Sequence, residues 1–154
     1  MEDEKKDKHR LVQEYTLIVK PLFRYLPWLE SASGKNVSSP FEGQGIVQNS
    51  ITFPVYDSML MRFIKECSRS SLMDKNYRYV YTRNRIKTNQ DERRMIERAT
   101  LKEWDILRGI LSYYVLGGMT KGSLWEKGIS SNVLYLVLKQ MKYVLEYWDK
   151  PVKE

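Results

Sequence analysis

The stretch NYRYVYTRNRIKTNQDERR, residues 76–94, sets Tyr77, Tyr79 and Tyr81 among Arg78, Arg83, Arg85 and Lys87 before an acidic residue appears at Asp91. Arginine presents a planar fork of donors that matches phosphate, and tyrosine presents a face on which a base can stack. Arg93, Arg94 and Arg98 extend the run, so residues 78–98 supply seven cations. One expectation is nucleic-acid contact through Arg78, Tyr79, Tyr81, Arg83, Arg85, Lys87, Arg93 and Arg94. The other is a solvated or protein-docking face, because Asp91, Glu92 and Glu97 dilute the charge at spacings that also make helix ion pairs.

The charge balance sharpens the choice without making it. From Arg62 to Arg98 there are eleven Lys/Arg against five Asp/Glu, which is +6 of the formal +7 for all 154 residues. Concentrated positive charge favours an anionic partner: nucleic acid, an acidic protein surface or an anionic membrane. A solubilising surface has the same composition.

Other chemistries find little to work with. The single cysteine, Cys67, cannot form an internal disulfide, and with His9 as the one histidine a Cys/His metal site or nucleophile pair is not expected. Cys67 reads as a small buried hydrophobe. Asp57, Glu103 and Asp105 are candidates for paired carboxylates only by their nearness to apolar segments, and helix-terminal roles explain Asp57 and Glu103 better. The glycines of GGMTKG, residues 117–122, miss the GxxxxGK[ST] spacing of a phosphate loop. Tyr77 and Tyr81 could be tyrosine nucleophiles in spacing alone, without the metal site such chemistry needs. No catalytic residue, no cofactor and no metal are expected, and the protein is read as a non-enzymatic binder. No apolar run approaches the ~18 residues of a membrane helix, and MEDEKKDKHR lacks the apolar core of a signal peptide, so no membrane contact and a cytoplasmic location are expected.

The elements that would position these residues are mainly helical. Leu11, Tyr15, Ile18, Leu22, Phe23 and Leu26 recur at steps of three and four across residues 9–30, with breaks expected at Pro21 and Pro27. Residues 1–8 read as a tail or a first helical turn. SASGKNVSSPFEGQG, residues 31–45, is Ser/Gly loop chemistry, and IVQNSITF, residues 46–53, is a short extended piece. A helix from about Tyr56 to Arg69 should bury Met59, Leu60, Phe63, Ile64 and Cys67 and expose Arg62, Lys65 and Arg69. For residues 77–83 the alternation of tyrosines has the strand period, while Asp74 as a cap with Tyr77, Val80 and Tyr81 inward makes a helix. In so helical a chain the helix is the expectation, followed by a turn near Lys87–Asn89.

Thr100 to Glu103 is a capping box opening a helix with Leu101, Trp104, Leu107, Ile110 or Leu111, and Tyr114 at helical spacing, expected to stop at Gly117–Gly118. A short helix from Thr120 carries Leu124 and Trp125 to a stop at Gly128. Ser130 or Ser131 then caps a last helix with Val133, Leu134, Leu138, Met141, Val144, Leu145 and Trp148 inward, ending before Pro151. The expected architecture is one compact domain over 1–154, about five to six helices ending in a helical hairpin.

TLKEWDILRGILSYYVLGGMTKGSLWEKGISSNVLYLVLKQM, residues 100–141, resembles the end of an uncharacterised bacterial and phage family, the domain-of-unknown-function family 6508. Leu101, Leu107, Leu111, Val115, Gly122, Gly128, Leu134 and Leu138 fit its outline, and FPVYDSMLMRFI, residues 53–64, resembles its proline-tyrosine entry to a helix. Leu116, Met119 and Thr120 stand where the family has basic and aromatic turn residues. The resemblance implies a compact cytoplasmic helical domain from bacteria or their mobile elements, and it supplies no activity.

Two functional readings follow. The first is a small basic protein contacting nucleic acid or a nucleoprotein, with a variant in which a mobile-element product regulates or inhibits a host machine such as a CRISPR effector. The second is a protein-interaction or self-associating domain. Aromatic residues are enriched at interfaces, and Trp125 and Trp148 are the candidates for a partner-facing pair or, alternatively, lids over the core.

Overall fold

The computed structural model describes the backbone of residues 2–32, 38–40, 54–56 and 58–149, with side chains placed for 7–32 and 58–148. The protein is mainly helical. Helix α1 (Glu2–Val19) leads through a 3-10 turn (Lys20–Tyr25) into α2 (Leu26–Ala32). A ribbon of β1 (Ser38–Pro40) and β2 (Pro54–Tyr56) pairs antiparallel, with Ser39 opposite Val55. Then come α3 (Ser58–Arg69), α4 (Tyr77–Arg83), α5 (Asn89–Arg98), α6 (Trp104–Thr120), α7 (Ser123–Ser130) and α8 (Val133–Asp149).

Several local expectations hold and several shift. Pro21 lies at the start of the 3-10 turn, where a missing N–H costs least. Pro27 is the second residue of α2, so it opens a helix rather than ending one. Residues from Glu2 onward are helical, the second of the two alternatives for the N-terminus. Tyr56 belongs to β2, not to α3, and Ser38–Pro40 forms strand within the range expected as loop. The rest of that loop and the extended piece at 46–53 lie outside the described residues. In α3, Leu60, Phe63, Ile64 and Cys67 are buried and Arg62, Lys65 and Arg69 exposed, as the 3.6-residue period requires.

Helix α6 is the hub. It touches α3, α4, α5, α7 and α8, and it buries residues around its whole circumference, from Trp104 to Gly118. A helix surrounded on all sides must be apolar on all sides or lose stability to unpaired polar groups. The buried Ser112 hydroxyl satisfies this by accepting from the Asp74 amide at 2.8 Å. The buried apolar side chains form one contiguous cluster, from Val12 on α1 to Leu145 on α8.

Two expected helix stops are instead helix interiors. Helix α6 runs through Gly117 and Gly118 to Thr120, and α7 begins at Ser123 and runs through Gly128. The physical reason is close approach rather than chain termination. A Cβ at Gly118 would lie 2.1 Å from the Trp125 ring, and one at Gly128 would lie 2.7 Å from a Leu134 methyl. Glycine there lets α7 and α8 lie against their neighbours.

Candidate nucleic-acid interface

Helix α4, which carries the tyrosine-arginine run, is held from below by α6. Arg108 donates from Nε to the Leu72 carbonyl at 2.9 Å and from Nη2 to the Met73 carbonyl at 3.3 Å. Together with the Ser112 bond, this fixes the loop that enters α4. Asp74 does not cap that helix. Its carboxylate accepts from the Asn76 amide at 2.8 Å, and Asn76 occupies the cap position with no side-chain bond. Val80 crosses α6 at Gly109, where a Cβ would stand 2.6 Å from the valine. Tyr81 stacks on Tyr113 with ring centroids 4.4 Å apart, and Tyr77 meets the same ring edge-on at 5.9 Å.

The turn out of α4 is built on a strained residue. The Ile86 amide donates to the Tyr81 carbonyl at 2.9 Å and the Arg85 amide to the Thr82 carbonyl at 3.3 Å. That pair of bonds is the Schellman closure, which requires a left-handed residue just past the helix and prefers glycine there. Arg85 fills the position at φ 55°. Replacing Arg85 by Gly is expected to raise stability by about 0.5–1 kcal/mol, seen as a melting temperature about 2–3 °C higher. Fold stability therefore does not explain an arginine at this site. Beyond the turn, Thr88 and Asp91 form a capping box for α5, with Thr88 Oγ1 accepting from the Asp91 amide at 3.1 Å. The Lys87 amide donates to the Asp91 carboxylate at 3.0 Å and, more than any other group, holds its pKa below the usual value.

Beneath this hairpin lies a carboxylate that sequence reasoning assigned to the surface. Glu92 is 2% exposed. It accepts from Tyr81 Oη at 2.5 Å, Tyr114 Oη at 2.7 Å and Asn89 Nδ2 at 2.7 Å. Burial first, and then the charge of Glu92, push both phenols well above their usual pKa, so they remain donors. Tyr81 is thus committed inward, which corrects its assignment to a base-stacking surface. The sequence signal was available: Glu92 follows Thr88 by one helical turn, and its α5 face continues with the buried Ile96.

The outer side of α4 and its turn exposes Arg78, Tyr79, Arg83, Arg85 and Lys87. None of these four cations forms an ion pair among the described residues. Tyr79 is 60% exposed. Arg93 is different, because its Nη2 donates to the Ser131 carbonyl at 2.6 Å and so serves the turn between α7 and α8. Arg94 faces Asp91 at 3.9 Å. The expected continuous ridge is therefore divided, with five of its eight residues on α4 and its turn left outward and uncommitted.

Beside Tyr79 and Arg83 is a recess of about 230 Å³, closed by Val80, Asn84, Lys102, Glu103, Asp105 and Ile106. Lys102 and Glu103 come from a 3-10 turn (Leu101–Glu103) just before α6 and Asp105 from the first turn of α6, and none was linked to the basic run by sequence. Glu103 is partly engaged, since one carboxylate oxygen accepts from Thr100 Oγ1 at 2.6 Å in the expected capping box. Asp105 is exposed and lies 3.4 Å from Arg108.

The tryptophan pair separates. Trp125 is only 8% exposed and donates from Nε1 to the Val115 carbonyl at 3.1 Å, so it is a core residue and not a partner contact. Gly118 explains why: its bare backbone makes room for the indole. Trp148 is half-buried beneath Lys8, whose ammonium is 5.1 Å from the ring centroid. It lines a cleft of about 470 Å³ with Leu11, Leu101, Tyr143 and Tyr147. Asp57 lies outside the described residues. Among those described, no group of three His, Cys, Asp or Glu could hold a metal ion, and no helix is long and apolar enough to cross a membrane. Comparison with protein-family models, curated proteins and solved structures finds no match for this chain.

Proposed function

We propose that this protein binds nucleic acid, free or as an exposed strand of a nucleoprotein, through the outer side of α4 and the turn that follows. The supporting observation is the set of four exposed cations, Arg78, Arg83, Arg85 and Lys87, on the helix that carries exposed Tyr79 and on the turn after it, none in an ion pair among the described residues. Opposite charges at i,i+4 spacing stabilise a solvated helix face, and these four cations have no such partner among the described residues. Arg85 strengthens the reading, because it holds a backbone conformation that glycine would hold better.

The test is fluorescence polarisation with labelled single- and double-stranded DNA and RNA. Four phosphate contacts on a single strand give a log–log salt slope of about −2.8, so raising salt from about 50 to 200 mM should weaken binding about 50-fold. The Arg83→Glu, Arg85→Glu, Lys87→Glu triple variant should lose binding and keep its helical circular dichroism, since all three side chains are exposed. Binding that is insensitive to salt, or unchanged in the variant, would remove this face from consideration.

A second reading rests on a different surface. Tyr143 and Tyr147, each 62% exposed, flank the cleft at Trp148. Large exposed aromatics beside an apolar cleft are what a protein partner or a second copy of the chain would bury. Association through this face would persist in high salt.

A further inference from the structure

Building on that nucleic-acid reading, we infer that the recess beside Tyr79 accepts one unpaired nucleobase, with preference for bases that carry an exocyclic amino group. The binding mode is then single-stranded, with one base turned inward and its phosphates held outside. Three features of the recess support this.

The first is size. A volume of about 230 Å³ equals roughly eight liquid waters and falls below the about 300 Å³ at which drug-sized sites begin. It has room for one heteroaromatic ring system and a few waters. The second is the sorting of charge. Arg83 and Lys102 are the cations that line it, and both are exposed, while Glu103 and Asp105 line the same space with carboxylates. A recess meant only for phosphate would not carry two carboxylates, which would repel it. A nucleotide presents the complementary pattern, a phosphate anion outside and amino-group donors on the base.

The third feature is the hydrogen-bonding character of the remaining wall. Asn84 donates its amide nitrogen to the Val80 carbonyl at 2.8 Å, which leaves its amide oxygen as the acceptor on offer. Asn84, Glu103 and Asp105 therefore present acceptors, and Val80 and Ile106 present apolar surface. Adenine N6 and cytosine N4 are donors that satisfy such acceptors, and thymine has a carbonyl at the corresponding position. Tyr79, which also lines the recess, supplies the face on which the base stacks.

The experiment uses the full chain and labelled strands about twelve nucleotides long: oligo-dA, oligo-dC, oligo-dT and a strand with abasic residues throughout. Oligo-dA and oligo-dC should bind about tenfold more tightly than oligo-dT, the value of one charge-assisted hydrogen bond, with the abasic strand weakest. Asp105→Asn should erase most of the difference between dC and dT while leaving the salt dependence intact, because it removes a carboxylate and no cation. Tyr79→Ala should weaken the base-bearing strands about tenfold and leave the abasic strand unchanged. Both side chains are exposed, so folding is not at risk. Equal binding of all four strands would overturn the recess and leave phosphate contact by the cations standing. No binding of any strand would overturn both.

Discussion

Gly118→Ala is expected to destabilise this protein more than any other single methyl addition considered for it. A Cβ at Gly118 falls 2.1 Å from both Cδ1 and Nε1 of Trp125, and at that distance the ring must move. The ring cannot move freely, because its Nε1 donates to Val115 and its residue is 8% exposed. Overpacking costs about 1–3 kcal/mol and the displaced buried hydrogen bond about 1–3 more. Alanine returns about 1 kcal/mol through its better helix propensity. The net loss is about 1–5 kcal/mol, or a melting temperature lower by about 2–20 °C for a chain of this size. In Trp125→Leu the obstructing ring is gone, so adding Gly118→Ala should then cost little. A double-mutant cycle showing additive effects would mean that the cost at Gly118 does not come from the Trp125 ring.

Glu92→Ala is the second large effect, and it reaches the proposed interface. The substitution leaves the buried Tyr114 phenol and the half-buried Tyr81 phenol without their acceptor, while the Asn89 amide keeps Tyr114 Oη at 3.1 Å. Each orphaned phenol costs about 1–3 kcal/mol, so a loss of about 2–6 kcal/mol is expected. Urea unfolding should show the midpoint fall accordingly. Glu92→Gln keeps the shape and one carbonyl acceptor, and a loss of about 1–2 kcal/mol is expected from it. Because the carboxylate joins Tyr81 on α4, Asn89 on α5 and Tyr114 on α6, the alanine variant should also loosen the hairpin that carries Arg78, Arg83 and Arg85. Amide hydrogen exchange across residues 77–98 would then rise in Glu92→Ala and remain near wild type in Glu92→Gln. An alanine variant as stable as the wild type would show that the two phenols find other partners.

Helix positions with strong periodicity were legible because the rule behind them is local. Leu60, Phe63, Ile64 and Cys67 share a side of α3 at spacings of three and four, and all four are buried. The Thr100–Glu103 capping box was legible for the same reason, being complete within four residues. What escaped was whatever depends on a residue far along the chain. Gly117, Gly118 and Gly128 have the composition of helix stops, and only the positions of Leu124, Trp125 and Leu134 turn them into contact points. Tyr79 and Tyr81 are the same residue type two positions apart. One faces solvent and the other a buried carboxylate, because α6 lies on one side of α4 only.

By itself, then, the sequence determined that the protein is mainly helical, where most of its helices lie, and that its positive charge is concentrated between Arg62 and Arg98. These follow from periodicity, capping and charge, which act over a few residues or are sums over composition. Tertiary structure decided which of those charges stay outward. It drew Arg93 to Ser131, Tyr81 to Glu92 and Trp125 into the core, and it set Lys102, Glu103 and Asp105 beside Tyr79 and Arg83. The reason is that a hydrogen bond or a recess needs partners brought together in space. In this protein the central helix α6 brings them together, and no short window of sequence contains both sides of such a contact.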